Sequence, residues 1–320
     1  MDSTEAIQEF QKLFSNVQQS SVTDFLAWIR YNFESLCEKA GKECRKNSDI
    51  ILDTIREEMR EMLPVNATSS TERILTPKTG PNSDCDPSTT VHVDAFLYDE
   101  DVIDNLCDEG KMRRNYCEQC GSKEISPLTF ITHSASVKQI KYIFCHLLPS
   151  LGGKSVLDIG SRTGAVLYAA HLYSDASRIV GVELDKSFCE LQQKMVDKYG
   201  FSDRIQILHK NIMNYLQQLQ EFDVIIMNNV FEFFMDIKVQ RQVWQTLYKH
   251  IKKPGTKLIT VPSIEESLES LQLNLKLSRW LKEIDVKDVC KQSNVLLYGL
   301  ESPDEDELSS IHLYEVLPRT

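Results

Sequence analysis

No apolar run in this chain of 320 residues approaches the ~20 residues that a membrane-spanning helix needs. The first residues, Met1-Asp2-Ser3-Thr4-Glu5, lack the basic stretch and apolar core of a secretory signal. Positive charge is not in excess either. The 36 Lys and Arg face 47 Asp and Glu, a formal net charge of −11. That balance disfavours nonspecific binding to nucleic acid or to an anionic membrane, and it suits basic partners. The cysteines number nine, an odd count, and they are scattered. They argue against a disulfide framework and for a reducing compartment, cytoplasmic or nuclear. There is no internal repeat and no nucleophile constellation of a covalent catalyst.

What is present is organised around residues 156–167, Val-Leu-Asp-Ile-Gly-Ser-Arg-Thr-Gly-Ala-Val-Leu. An apolar pair leads to Asp158, a turn holding Gly160 and Gly164 follows, and a helix begins. Gly160 and Gly164 tolerate backbone angles that a Cβ forbids, and they let a ligand approach the main chain. The helix start offers free N–H groups and a positive dipole end. Residues 178–185, Arg-Ile-Val-Gly-Val-Glu-Leu-Asp, read as a second strand that ends in an acid at the distance where a nucleotide ribose is held. A dehydrogenase would place an acid there too. Its fingerprint, Gly-x-Gly-x-x-Gly, is not supplied by Gly160-Ser161-Arg162-Thr163-Gly164.

Two further segments follow in order. Residues 204–212 read Arg-Ile-Gln-Ile-Leu-His-Lys-Asn-Ile, and residues 222–231 read Phe-Asp-Val-Ile-Ile-Met-Asn-Asn-Val-Phe. Together the four segments resemble the class I S-adenosylmethionine-dependent methyltransferases, over roughly residues 155–262. The resemblance implies a doubly wound, mostly parallel seven-stranded sheet, an α/β fold, closed by an antiparallel hairpin. It implies S-adenosyl-L-methionine as cofactor, held by Asp158, Gly160, Ser161, Arg162, Gly164, Glu183, Leu184, Asn211, Ile212 and Asn228. Glu183 matches the acid that binds the ribose hydroxyls.

The sequence departs from the family at three places. Arg162 stands where the family has its middle glycine. Its side chain either points outward or points in, where it would crowd the cofactor or pair with the methionine carboxylate. Asn211 replaces the acid that accepts from the adenine amino group, a bond an amide oxygen can also accept. After the fourth strand, residues 228–234 lack the Asn/Asp-Pro-Pro-aromatic pattern of enzymes that methylate base or amide nitrogens. The segment looks partly like small-molecule methyltransferases and partly like the non-SET histone-lysine methyltransferases. The expected acceptor is therefore a small molecule or a protein lysine. Methyl transfer asks the protein mainly to align an attack and exclude water. Asn228, Asn229 and Glu232 are the candidate catalytic residues, with Glu232 as base. The alternative is a scaffold that binds the cofactor without catalysis, motivated by Arg162 and Asn211.

Around this centre the chain divides further. Residues 1–64 are a helical N-terminal region. Helices are expected around Ile7, Phe10, Leu13 and Phe14, around Phe25, Leu26, Ile29 and Phe33, and, capped by Ser48, around Ile51, Leu52, Ile55 and Met59. Residues 65–90, rich in Ser, Thr, Pro and Asn, read as a disordered linker. Residues 91–134 hold Cys117-Glu118-Gln119-Cys120-Gly121, half of a zinc knuckle, with Cys107 and His133 as the nearest completing ligands. Inert cysteines in a turn are the alternative. Residues 135–320 form the methyltransferase domain. A helix over 137–148 carries Ile140, Ile143, Phe144 and Leu147; the resemblance implies that His133 and Ser134, just before it, line the cofactor pocket, with a structural or metal-related role for His133 as the other reading. Strands are expected at 155–159, 178–183, 205–209, 224–228 and 258–261, with late strands at 294–300 and 311–317. Residues 265–281 are expected to be helical.

Overall fold

A computed structural model describes residues 9–10, 12–17, 21, 47–118, 125–298 and 305–318. The chain forms two compact units, Met1–Ile51 and Leu52–Thr320. In the first, residues 9–10 and 12–15 are helical, and Phe10 and Phe14 stack with ring centroids 6.3 Å apart. The expected helix around Phe25 to Phe33 lies outside the described residues. Helix α1 (47–62) already includes Ser48, so Ser48 is not its cap. Within the second unit α1 buries Leu52, Ile55 and Met59.

The second unit continues with β1 (Thr90–Val93), α2 (Glu100–Asp108), β2 (Asn115–Cys117), β3 (Ile125–Pro127) and β4 (Thr129–Thr132). Strand β1 pairs in parallel with β4, and β2 pairs with β3. Helix α3 (Val137–Lys141) runs on as a π-helical stretch, Tyr142–Leu147. Ser136 caps it in a reciprocal box with Gln139.

The main sheet comprises β5 (Ser155–Ile159), β6 (Arg178–Glu183), β7 (Ile205–His209), β8 (Val224–Asn228), β9 (Lys257–Val261), β10 (Leu281–Ile284) and β11 (His312–Val316). Its order is β10-β11-β9-β8-β5-β6-β7. Strands β5 to β9 are parallel, and β11 enters antiparallel between β9 and β10. Strands β5, β6 and β8 are almost entirely buried, which is why they read as continuous apolar runs. Helices α4 (Ala165–Tyr173), α5 (Lys186–Tyr199), α6 (Ile237–His250) and α7 (Ile264–Ser270) alternate with the strands. Asp185 caps α5, Asp236 caps α6 and Ser263 caps α7. Trp280 is fully buried, and its indole N–H donates to the Ile251 carbonyl at 2.9 Å.

The end of the chain departs from expectation. The sixth strand is β10, inside and just beyond the stretch read as helix; that helix stops at Ser270. Residues 294–298, read as strand, belong to helix α8 (Lys287–Tyr298), and 299–300 lie outside the described residues. A short helix, α9 (Glu305–Ser309), occupies the end of the acidic loop.

Residues 65–90 form neither helix nor strand before Thr90, as their composition implies, but they are not free of the domain. Ser69 and Thr71 donate to Asp185 at 3.2 and 2.5 Å. Leu75 N–H donates to the Phe233 carbonyl at 2.7 Å, and Asn82 Nδ2 donates to Glu232 at 2.9 Å. The stretch is a strap laid along the carboxyl ends of the strands. Specific hydrogen bonds hold it where apolar burial does not.

Candidate active site

The strand order reverses between β5 and β8, the place where doubly wound sheets open a crevice beyond the carboxyl ends of the strands. Two loops meet there: the turn after β5 and the segment after β8.

The turn is built as its glycines require. Gly160 has φ +76° and Gly164 φ +86°. A Cβ on Gly160 would lie 2.1 Å from Val230 Cγ2, and one on Gly164 would lie 2.7 Å from the Tyr168 ring. The close neighbour of Gly160 is thus a side chain of the segment after β8. Ser161 donates to Gln192 Oε1 at 2.8 Å, and Gln192 Nε2 donates to the Arg162 carbonyl at 2.6 Å. Gln192, fully buried on α5, is a fastener that sequence reasoning missed.

Glu183, at the end of β6, faces this turn. Its carboxylate accepts from the backbone N–H groups of Arg162 at 2.8 Å, Leu184 at 2.7 Å and Asp185 at 2.7 Å. Burial raises its pKa against the pull of those donors. Asp158 is buried beside it, and burial with the neighbouring Glu183 charge pushes its pKa up to about 8. Leu184 is exposed (58%), Asn211 accepts from Met213 N–H at 2.9 Å, and Ile212 is buried in the core.

The Arg162 side chain points in, with φ +42° at its backbone. The guanidinium donates from Nε to Glu72 at 2.9 Å, from Nη1 to Asp94 at 2.5 Å, and from Nη2 to the Ala67 carbonyl at 2.8 Å and Glu72 at 3.1 Å. It also lies 4.9 Å from the Phe188 ring centroid. Burial works against its charge, but Asp94 and Glu72 outweigh it and hold the pKa above the ordinary value. Asp94 further accepts from Ser134 at 2.6 Å. The guanidinium is therefore turned inward, as one of the two orientations open to it, and is bonded by the protein's own carboxylates.

His133 is buried, 2.9 Å from His92 between ring nitrogens, and edge-on to Phe233 and Phe234. Among the described residues no group of three or more His, Cys, Asp and Glu is gathered as a metal requires. Cys107, Cys117 and His133 are not brought together, and Cys120 lies outside the described residues. The zinc expectation gains no support: His133 is held instead in an aromatic, apolar setting.

The segment after β8 borders a cavity of about 410 Å³. Asn229, Val230, Phe231 and Glu232 line it, with Thr260 on β9 and Trp244 on α6. Asn228 is part-exposed at the strand end, and Asn229 Nδ2 donates to the Thr132 carbonyl at 3.3 Å. The Glu232 carboxyl is half-buried, and burial raises its pKa while the Asn82 hydrogen bond opposes it.

Residues 157–257, which hold the turn, Glu183 and this segment, match the family described as a methyltransferase domain. That stretch is similar to a methyltransferase domain. A ribosomal protein L11 methyltransferase of Desulforamulus reducens is 31% identical over 26% of this chain and 26% of its own length. A mitochondrial ribosomal RNA small subunit methyltransferase of Arabidopsis thaliana is 34% identical over 23% of this chain and 18% of its own. The chain thus matches about a quarter or less of those relatives' length. A solved Bacillus cereus O-methyltransferase in complex with SAH is 15% identical, covering 58% of this chain and 83% of that one with a TM-score of 0.37, a likeness too remote to add to the assignment.

Whether the methyltransferase domain can hold the family's cofactor is tested by its own groups. Glu183 uses three of the roughly four acceptor positions of a carboxylate, so one remains for a hydroxyl. Leu184 beside it leaves an apolar surface uncovered. The adenosine end therefore fits. At the other end Val230 covers Gly160, and the strap closes over Arg162.

Proposed function

We propose that the chain is an S-adenosylmethionine-dependent methyltransferase. The observation that carries this reading is Glu183. It ends β6 beside the glycine turn, within the segment that matches the methyltransferase domain, and is bonded to the Arg162 N–H. Glu183 would hold a ribose hydroxyl with the acceptor position its three backbone N–H bonds leave open. Leu184, Asn211 and Ile212 would border the adenine, and Gly160, Gly164 and Asn228 would border the rest. When bound, the cofactor supplies an electrophilic methyl group. The chain's own residues position the acceptor and keep water out, and the Glu232 carboxylate takes up the acceptor's proton. Calorimetric titration with S-adenosylhomocysteine tests the reading; saturable binding is expected, and its absence would sink it.

One observation favours a second reading, a cofactor-binding scaffold without turnover. The turn's guanidinium is committed to Glu72 and Asp94, and Val230 sits on Gly160. Transfer of labelled methyl to any acceptor in a cell extract removes it.

A further inference from the structure

The cavity beside the glycine turn has a one-sided chemistry. Among the described residues its ionisable lining groups are Glu232, Glu266 and His312, and no Lys or Arg lines it. Glu266 closes the cap of α7 by accepting from Ser263 N–H at 3.3 Å, and His312 faces Glu283 at 3.3 Å. Glu232 is different. It is half-buried, its carboxylate receives one amide hydrogen bond from Asn82, and no cation among the described residues pairs with it. A carboxylate shielded from water without a counter-charge is costly unless something supplies one.

Two more groups are incomplete. Thr260 Oγ1 and Asn229 Oδ1 are buried without a hydrogen-bond partner, and both residues line the same cavity. Thr260 is 3% exposed. Buried polar groups are nearly always paired, so unpaired ones at a cavity wall point to a ligand that brings donors. The other walls are apolar: Phe231 and Trp244 meet edge to face at 5.7 Å, with Val261 and Pro262 nearby. The volume is that of a small-molecule site.

We propose that this cavity binds the acceptor and that the acceptor is a small primary amine with an aromatic or alkyl body, its ammonium group received by Glu232, Thr260 and Asn229. An ammonium brings one positive charge and three donors, which matches one uncompensated carboxylate and two unpaired acceptors. The inference rests on the methyltransferase reading for the fate of the amine, not for its binding. For transfer, the ammonium first gives one proton to a Glu232 carboxylate oxygen. The freed nitrogen lone pair then forms the N–C bond to the cofactor's methyl carbon while the C–S bond breaks and its electrons stay on sulfur. The products are a methylammonium and a neutral thioether. The raised pKa of Glu232 suits it to take that proton.

The test uses the full chain, with and without saturating S-adenosylhomocysteine. Calorimetry compares 2-phenylethylamine and tryptamine with the alcohols and carboxylates of the same skeletons. The amines should bind at least ~10-fold more tightly than either counterpart, since a charge-assisted bond is stronger than about 1.4 kcal/mol. Glu232→Gln should abolish that preference, and Thr260→Val should weaken the amines by roughly 2–10-fold, one neutral hydrogen bond. S-adenosylhomocysteine affinity should stay unchanged in both variants, which also shows that they fold. Failure of both amines to bind, equal binding of the alcohols, or unchanged amine affinity in Glu232→Gln overturns the proposal. Failure of S-adenosylhomocysteine alone overturns the cofactor reading and leaves the amine site standing.

Discussion

The glycine turn and the cavity lie next to each other and treat charge in opposite ways. At the turn, Arg162 is surrounded by Glu72, Asp94 and a carbonyl, and Glu183 by three backbone N–H groups. In the cavity, among the described residues, Glu232 has no counter-charge, and Thr260 Oγ1 and Asn229 Oδ1 have no partner. Val230 belongs to both regions, lining the cavity and packing on Gly160. The contrast separates two uses of buried polarity. Where partners are complete, polarity fixes the backbone. Where they are missing, it leaves free energy to be recovered by a ligand.

The comparison breaks most visibly at Arg162. Arg162→Met leaves Asp94 and Glu72 buried without their cation, a loss of about 3–5 kcal/mol in chemical denaturation. Adding Glu72→Gln and Asp94→Asn should restore much of it. If Arg162→Met is as stable as the parent, the cluster is not what holds the strap.

Glu183→Ala comes next. It removes one charged acceptor from a ribose, so S-adenosylhomocysteine affinity should fall at least ~10-fold. It also strands three backbone N–H groups, so stability should drop by roughly 1–3 kcal/mol. A variant that loses stability but keeps its affinity would confine Glu183 to a structural role. Asp185→Ala should show the converse: about 1 kcal/mol of lost stability from the α5 cap and the strap bonds, with little change in affinity.

An effect at His133 that vanishes at neutral pH concerns titration. Burial lowers the His133 pKa to about 3, from an ordinary value of 6.5. Between those values the unfolded chain binds more protons than the folded one, so stability falls as pH drops through that window. Asp158, with its pKa raised to about 8, acts oppositely: its contribution falls as pH rises from 3.8 toward 8. His133→Gln should flatten the acid limb of a stability-pH curve by at most one proton. An unchanged limb would show that His133 is solvated.

Strands β5, β6, β8 and β9 of the main sheet were legible in the sequence because they are buried over most of their length and therefore largely apolar; β7, with only Ile205 buried, was legible from its place in the motif order, and the strand expected at 311–317 is β11. The sixth, Leu281-Lys282-Glu283-Ile284, is a four-residue edge with both central side chains exposed, and its pattern is too short to separate from the end of a helix. The apolar run at 294–298 shows the same ambiguity from the other side. Glu183, Asn229 and Glu232 could be named from motif position. Glu72, Asp94 and Gln192 could not, because they meet the turn from 90, 68 and 30 residues away and obey no period. The strap's composition spoke of disorder; the bonds to Asp185, Phe233 and Glu232 and the buried guanidinium opposite Glu72 reveal why it is held.

Glu72 and Asn82 are carried by one short piece of chain, and between them Leu75 is pinned to Phe233. Occupancy of the cavity that shifts Asn82 therefore tugs on a segment whose other end closes over the turn. Thermodynamic linkage makes such coupling reciprocal: whatever the first ligand does to the affinity for the second, the second must do to the first. In this architecture any coupling between two ligands would run through a single tether, and that tether has no secondary structure of its own.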